Sequence, residues 1–390
     1  MRSFLLLTTV LVSVSLSACA PTVSSQPGAA RSSYTPPAST TPLPAADATT
    51  RVAILLPLSG PQAAIGQSLL NAAQLALYDV GDEKFSLLPH DTQGTPQGAS
   101  AATQRALADG AQLFIGPVFA PEVEAIKPIT RTRNTPVLAL SNNENLTDNF
   151  TYVMGLSPLD KVGRVLQHAK RNNLTRIAAI LPHNAYGDAV AEAVQEEVEL
   201  QGLTLVKLTR YNQTDNLAAI TGSFMTELAA AGNAQALLFG ETGASLANLA
   251  TQLQAHGYNP ATIRPLGTAL WEDGAAARLP ALAGGWYAAP AGTQRRAFSA
   301  RYTQTYGANA PAIAPLAYDS AALAAVLARS PAKFSQNRMT DPMGFNGVDG
   351  IFRLHPSGNV ERGLAVFETG TSGNQLVDAA PLIFAAGTTN

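Results

Sequence analysis

The chain has 390 residues, 46% of them hydrophobic and 13% charged, against roughly a quarter charged in an ordinary soluble domain, which excludes a wholly disordered chain. Lys and Arg number 25 and Asp and Glu 27, so the net charge of −2 leaves no cationic excess for a phosphate backbone and argues against nucleic acid as a partner. At about 150 residues per domain the length predicts two or three folding units.

In chain order, Arg2 precedes an apolar run from Phe4 to Leu16. The run is shorter than the roughly 20 residues that cross hydrocarbon as a helix, so residues 1–18 read as a secretory signal peptide. It ends in Leu16-Ser17-Ala18-Cys19, and Cys19 is the single cysteine of the chain. This segment resembles the bacterial lipobox. The resemblance implies that Cys19 is acylated, with palmitate as the attached lipid, and becomes a membrane anchor; the alternative is an ordinary signal with an incidental cysteine. With Cys19 acylated no disulfide can form, and stability must come from packing. Residues 19–50 follow as a tether: Pro21, Pro27, Pro36, Pro37, Pro42 and Pro44 stand among Ser, Thr and Ala, with Arg31 and Asp47 as the charges. Such a composition cannot offset backbone entropy by burial, and in polyproline-like extension it reaches on the order of 100 Å. Ala20 stands where lipoprotein sorting would place an inner-membrane Asp, so the resemblance implies the outer membrane.

From Arg51 onward short apolar runs alternate with helical periods. Val52–Leu56 reads as a strand, Ile65, Leu69, Ala72 and Ala76 as a helix face, and Phe85–Leu88 as a strand. Leu113–Ile115, a helix opening near Pro121, and Pro136–Leu140 repeat the unit. After Gly155-Leu156-Ser157-Pro158 a second series begins: a helix carrying Val162, Val165, Leu166 and Ala169, a strand at Ile177–Leu181, and a helix from Gly187 to Gln201. Leu203–Leu208, a helix near Leu217–Ala231 and Ala236–Gly240 continue it. Helices near Gln294–Tyr306 and Ile313–Arg329 precede two runs, Gly350–Leu354 and Gly363–Glu368, that read as a hairpin about Pro356-Ser357-Gly358-Asn359. Strands alternating with helices imply an α/β fold of two Rossmann-like, doubly wound lobes with mainly parallel sheets.

Ligands of open parallel sheets gather beyond the carboxyl ends of the strands, where helix amino termini present free N–H groups. Leu58-Ser59-Gly60-Pro61 and Gly116-Pro117-Val118-Phe119-Ala120-Pro121 occupy such positions. Each is either an anion-binding loop or a tight strand-to-helix turn.

Val52-Ala53-Ile54-Leu55-Leu56-Pro57-Leu58-Ser59-Gly60-Pro61, Ile115-Gly116-Pro117, Tyr186-Gly187-Asp188 and Ala317-Tyr318-Asp319 resemble the type 1 periplasmic binding proteins related to the leucine/isoleucine/valine receptor. With Cys19 and the Ala-rich helices, the chain is similar in particular to penicillin-binding protein activator lipoproteins. The resemblance implies two discontinuous lobes around an interlobe cleft, with crossings near Ser157, Pro290 and Phe345. Lobe 1 would hold residues 51–157 and about 290–345, lobe 2 residues 158–289 and about 346–375, and a tail 376–390. The ligand-binding candidates are Ser59, Phe119, Ser141, Asn142, Tyr186, Thr242, Trp271 and Tyr318. The clamp for an amino acid is incomplete: Phe119, Ala120 and Pro121 replace a serine-rich loop, and Ala269 stands where an acid would hold the ammonium, leaving Glu272 or Asp273 as substitutes. Several candidates also have structural explanations: Tyr186 as cover for a helix end, Ser141 and Asn142 as turn-formers, Trp271 and Tyr318 as partly buried aromatics.

No catalytic residues or cofactor are expected. His90, His168, His183, His256 and His355 occur singly, without a zinc-binding pair, and no nucleophile elbow, P-loop or dinucleotide fingerprint is present. His90-Asp91 is the best remaining pair, and a solvated loop explains it as well. The resemblance therefore implies a non-catalytic envelope lipoprotein that contacts a peptidoglycan synthase, a penicillin-binding protein. The alternative is a solute receptor that serves an ABC permease.

Overall fold

A computed structural model describes residues 49–81, 84–290, 292–370 and 373–384. The signal segment, Cys19 and the tether up to residue 48 lie outside the described residues. The first series is β1 (Thr50–Leu56), α1 (Ala63–Val80), β2 (Phe85–Asp91), α2 (Pro96–Ala108), β3 (Leu113–Ile115), α3 (Ala120–Thr132), β4 (Val137–Ala139) and β5 (Thr151–Val153). Its strands form a parallel sheet in the order β2-β1-β3-β4-β5. The second series is α4 (Pro158–Arg171), β6 (Arg176–Pro182), α5 (Ala185–Leu200), β7 (Thr204–Tyr211), α6 (Leu217–Ala230), β8 (Ala236–Phe239), α7 (Gly243–Ala255), β9 (Arg264–Gly267) and β10 (Trp286–Ala289). After these come α8 (Gly292–Tyr306), α9 (Ala314–Ala328), α10 (Gln336–Met339), β11 (Phe345–Gly347), β12 (Gly350–Leu354), β13 (Val360–Arg362), β14 (Ala365–Glu368) and β15 (Gln375–Asp378). The second sheet runs β15-β14-β10-β9-β8-β6-β7, with β14 and β15 antiparallel at one edge; β11, β12 and β13 form a small antiparallel sheet.

The pleat distributes each strand between two cores. In β1, Val52, Ile54 and Leu56 join α1 and α9 on one face, while Ala53 and Leu55 join α2 and α3 on the other. In β6, Ala178 and Ile180 pack with α6 and α7, and Ile177, Ala179 and Leu181 with α4 and α5. Both faces of both sheets are therefore covered, and each fully buried Leu or Ile contributes about 1.5–3 kcal/mol. Helix starts are set by side-chain caps: Thr95 accepts from the Gly98 amide, Ser157 from Leu159 and Asn184 from Gly187, with Pro96 and Pro158 in the first turns of α2 and α4. Among the described residues no helix is long and apolar enough to cross a membrane.

The last third of the chain departs from expectation. Phe298 and Tyr302 of α8 and Phe352, Leu354 and Val360 of β12 and β13 belong to the core of lobe 1, whereas Leu364 and Val366 belong to lobe 2. The third crossing therefore falls at Gly363–Leu364 instead of near Phe345. The hairpin partner of β12 is Val360–Arg362, and Ala365–Glu368 instead pairs with β10 in the other sheet. Residues 375–378, expected to lie partly in a tail, form the edge strand β15.

Candidate functional site

The loops leaving β1 and β3 face the position where the fold would gather a ligand. Both already hold carboxylates of this chain. Oδ1 of Asp91, at the end of β2, accepts from the amides of Leu58 at 2.9 Å, Ser59 at 3.2 Å and Gln93 at 2.8 Å. Burial alone would raise the Asp91 pKa, but hydrogen bonds from Ser59, Gln93 and Leu58 outweigh it and hold the carboxyl below its usual range. At the start of α3, Oε2 of Glu122 accepts from the Phe119 amide at 3.2 Å. Glu122 is buried, and burial raises its pKa against hydrogen bonds from Thr92, Phe119 and Val118. An acid at the third position of a helix turns back on the amide of the capping residue, so the Phe119 amide at the start of α3 is satisfied internally. Gly116 makes the approach to this turn possible: its φ is +85°, and a Cβ there would collide with the Leu55 carbonyl.

Of the candidates in these loops, Ser59 is exposed, and its amide is the group engaged with Asp91. Phe119 is half-buried against the lobe 1 core. His90 and Asp91, as neighbours on a strand, diverge: His90 Nε2 lies 3.5 Å from Asp109, and the carboxylate of Asp91 faces the β1 loop. They do not form an acid–base pair.

The wall of lobe 2 is similarly self-bonded. Tyr186 donates to Oγ1 of Thr268 at 2.7 Å, Tyr211 to Glu241 at 2.8 Å, and Trp271 Nε1 to the Glu241 carbonyl at 3.2 Å. Oγ1 of Thr242 reaches the Leu270 carbonyl at 3.3 Å. Trp271, expected at a ligand, is 0% exposed beside Phe239 in the lobe 2 core. Its partner across the packing is Gly267, where any Cβ would strike the indole. Tyr318 also stands elsewhere: it donates to Asp79 at 2.6 Å and lines a separate cavity of about 290 Å³ in lobe 1 with Phe298.

Asn142 and Tyr186 are brought together. They line a groove of about 560 Å³ that spans the loop after β4, the start of α4 and one face of α5. Ser141, buried next to it, accepts from the Asn143 amide at 3.2 Å and so shapes the loop. Three acids that sequence reasoning did not single out, Glu144, Glu192 and Glu196, line the same groove; the helical spacing of Glu192 and Glu196 on α5 was the available signal for those two. Burial raises the Glu144 pKa, and Glu196 and Glu192 add to it by like-charge repulsion. Glu272, one substitute for the missing ammonium partner, lies 3.6 Å from Nη1 of Arg295 and is thereby ion-paired; the Asp273 side chain lies outside the described residues. Among the described residues no group of three or more His, Cys, Asp or Glu is arranged to hold a metal ion.

The family model of periplasmic binding proteins matches residues 49–374. The penicillin-binding protein activator LpoA of Yersinia pseudotuberculosis is 27% identical over 210 residues, 43% of this chain and 31% of that protein. The matched stretches span under two fifths of the length of the first curated relatives. Among solved structures, a Rhodospirillum rubrum protein assigned to branched-chain amino acid ABC transport superposes with a TM-score of 0.71 at 18% identity, covering 84% of this chain and 100% of that one. A branched-chain amino acid ABC transporter periplasmic ligand-binding protein of Burkholderia xenovorans gives 0.65 at 18% identity, over 86% and 94%. At these identities the structural likeness establishes the fold.

Proposed function

The chain belongs to the periplasmic binding protein family, and from that premise we propose that it is a non-catalytic module of the cell envelope that acts by contact with a peptidoglycan synthase of the penicillin-binding protein class. Its similarity to the activator LpoA supports this partner. In this reading Cys19 carries the lipid, residues 20–50 supply the reach, and the anchor is in the outer membrane.

One observation carries the proposal against a receptor for amino acids. The amides that would hold a ligand carboxylate are held instead by Asp91 and Glu122. An incoming carboxylate would have to displace an internal one and sit beside its charge, and like-charge repulsion between neighbouring carboxylates disfavours that. A two-lobed body without that grip is better suited to touching a macromolecule than to carrying a small acid to a permease.

The test is crosslinking in whole cells from photoreactive residues placed on exposed helices of both lobes, with identification of the captured protein. A penicillin-binding protein is the expected product, and capture of a permease component would reverse the assignment. In parallel, leucine, isoleucine and valine should leave the melting temperature of the full chain unchanged, because a ligand bound by the folded state alone must raise it by mass action.

A further inference from the structure

A cavity of about 580 Å³, separate from the groove beside Tyr186, is bounded by α4, the end of α5, the crossing between β13 and β14, and the segment after β15. Three buried polar atoms on its lining residues come from three different elements and have no hydrogen-bond partner among the described residues: Oδ2 of Asp160 on α4, Oε1 of Gln201 just beyond α5, and Nε of Arg362 on β13. Arg362 is 5% exposed, and its Nη2 is already used by the Met154 carbonyl. Nε2 of Gln201 donates to the Gly163 carbonyl at 3.0 Å and to Glu197 at 2.6 Å, which fixes the carboxamide and leaves its oxygen as the idle end. Leaving a buried donor or acceptor without a partner costs its full desolvation, so one wall that gathers two orphan acceptors and an orphan donor is built to be completed from outside.

The full charges around the cavity are already matched. Nη1 of Arg164 lies 3.0 Å from Asp378, which Arg171 also reaches; Nε of Arg353 lies 2.7 Å from Glu361; and Nη1 of Arg362 lies 3.7 Å from Asp319. Asp160 and Glu197 are the carboxyls of the lining without such a pair, and burial pushes the pKa of each upward, toward the neutral acid. A charged ligand would have to break an existing ion pair to be held. A neutral one that both donates and accepts would not, and a hydroxyl does both with one group. Leu364, Pro381 and Phe384 add an apolar side to the same cavity, which suits the C–H face of a sugar ring, and the volume falls within the roughly 300–1,000 Å³ of small-molecule sites.

We infer that this cavity is a binding site for a small neutral polyhydroxylated ligand, a saccharide, held by Asp160, Gln201 and Arg362. The site lies at the third crossing between the lobes, away from the loops of β1 and β3. Its occupancy is independent of which partner the module meets.

The test is isothermal titration of the full chain carrying Cys19→Ala with two neutral disaccharides, cellobiose and N,N′-diacetylchitobiose, and with sodium acetate and methylammonium chloride as charged comparators. At least one disaccharide should saturate the chain and neither salt should. Gln201→Leu and Asp160→Ala each remove an acceptor and should weaken binding roughly tenfold. Gln167→Trp places a ring in the cavity from an exposed lining position on α4 and should abolish binding. Should either acceptor variant fail to fold, Gln167→Trp decides alone. Sedimentation with insoluble peptidoglycan separates two sources of the same chemistry: retention that Gln167→Trp removes assigns a glycan strand, and titration without retention assigns a soluble sugar. Absence of heat with both disaccharides, saturation by a salt instead, or disaccharide binding that survives Gln167→Trp overturns the assignment.

Discussion

Arg362 donates from Nη2 to the Met154 carbonyl at 2.8 Å, which ties the third crossing between the lobes to the first. The guanidinium is 0% exposed, lies over the Phe352 ring, and has Oδ2 of Asp319 3.7 Å from its Nη1. Asp319 on α9 also accepts from the Val348 amide at 2.7 Å. A buried cation and a buried anion thus meet where the chain changes lobes.

Removing one member of such a pair leaves the other uncompensated. Arg362→Met should destabilise the chain by about 3–5 kcal/mol well above pH 7, where the Asp319 carboxylate is ionised, and by less at lower pH, where it holds a proton, measured by denaturant unfolding of the full chain. The double variant Arg362→Met with Asp319→Asn should recover part of that loss, because the stranded charge is gone. If the double variant is as unstable as the sum of the single ones, the two residues are not coupled.

The same pair predicts a pH dependence. Burial pushes the Asp319 pKa up from 3.8 to about 7, with Arg362 opposing. The folded chain therefore keeps a proton that the unfolded chain releases, and the stability linked to this group is present at low pH and lost as the pH rises from about 4 through about 7. Asp319→Asn cannot titrate. The stability of the natural chain relative to this variant should fall across that window, followed by unfolding midpoints at closely spaced pH values; a flat difference would place the Asp319 carboxyl in its ordinary range.

Much of the fold is legible in the residue pattern because burial on both faces leaves unbroken apolar strands such as Val52–Leu56 and Ile177–Leu181. The failures have physical causes. Gly363–Glu368 has the composition of a hairpin arm, and sequence alone cannot tell pairing with β12 from pairing with β10 in another sheet. Trp271 and Tyr318 are aromatic residues whose type suits a cleft and a core equally, and packing against Gly267 and Phe298 decided between them. The filling of the β1 loop by Asp91 joins residues far apart in the chain and has no local signature. Glu122 does have one, since an acid three residues beyond the start of a helix is a capping signal.

The packing of Trp271 sets a third expectation. Its ring fills the space over Gly267 and beside Phe239, so Trp271→Ala should leave a cavity and cost about 3–5 kcal/mol. Trp271→Phe, which loses the bond to the Glu241 carbonyl but retains much of the volume, should cost less. Equal and small losses in denaturant unfolding would mean that the ring is not held in the core.

The Asp91 carboxylate provides the sharpest test of why the cleft lacks an anion grip. Asp91→Ala strips three amides, those of Leu58, Ser59 and Gln93, of their acceptor. Leaving donors unsatisfied costs about 1–3 kcal/mol where water cannot replace the partner, and less at the exposed Ser59. The freed amides would then present an external anion with the arrangement that Asp91 had filled. Acetate should raise the melting temperature of Asp91→Ala in a concentration-dependent way and leave the natural chain unmoved, as scanning calorimetry of both proteins in chloride and acetate would read. Equal stabilisation of both would show that the loop binds anions with Asp91 in place, and the case against an acidic solute would lose its physical basis.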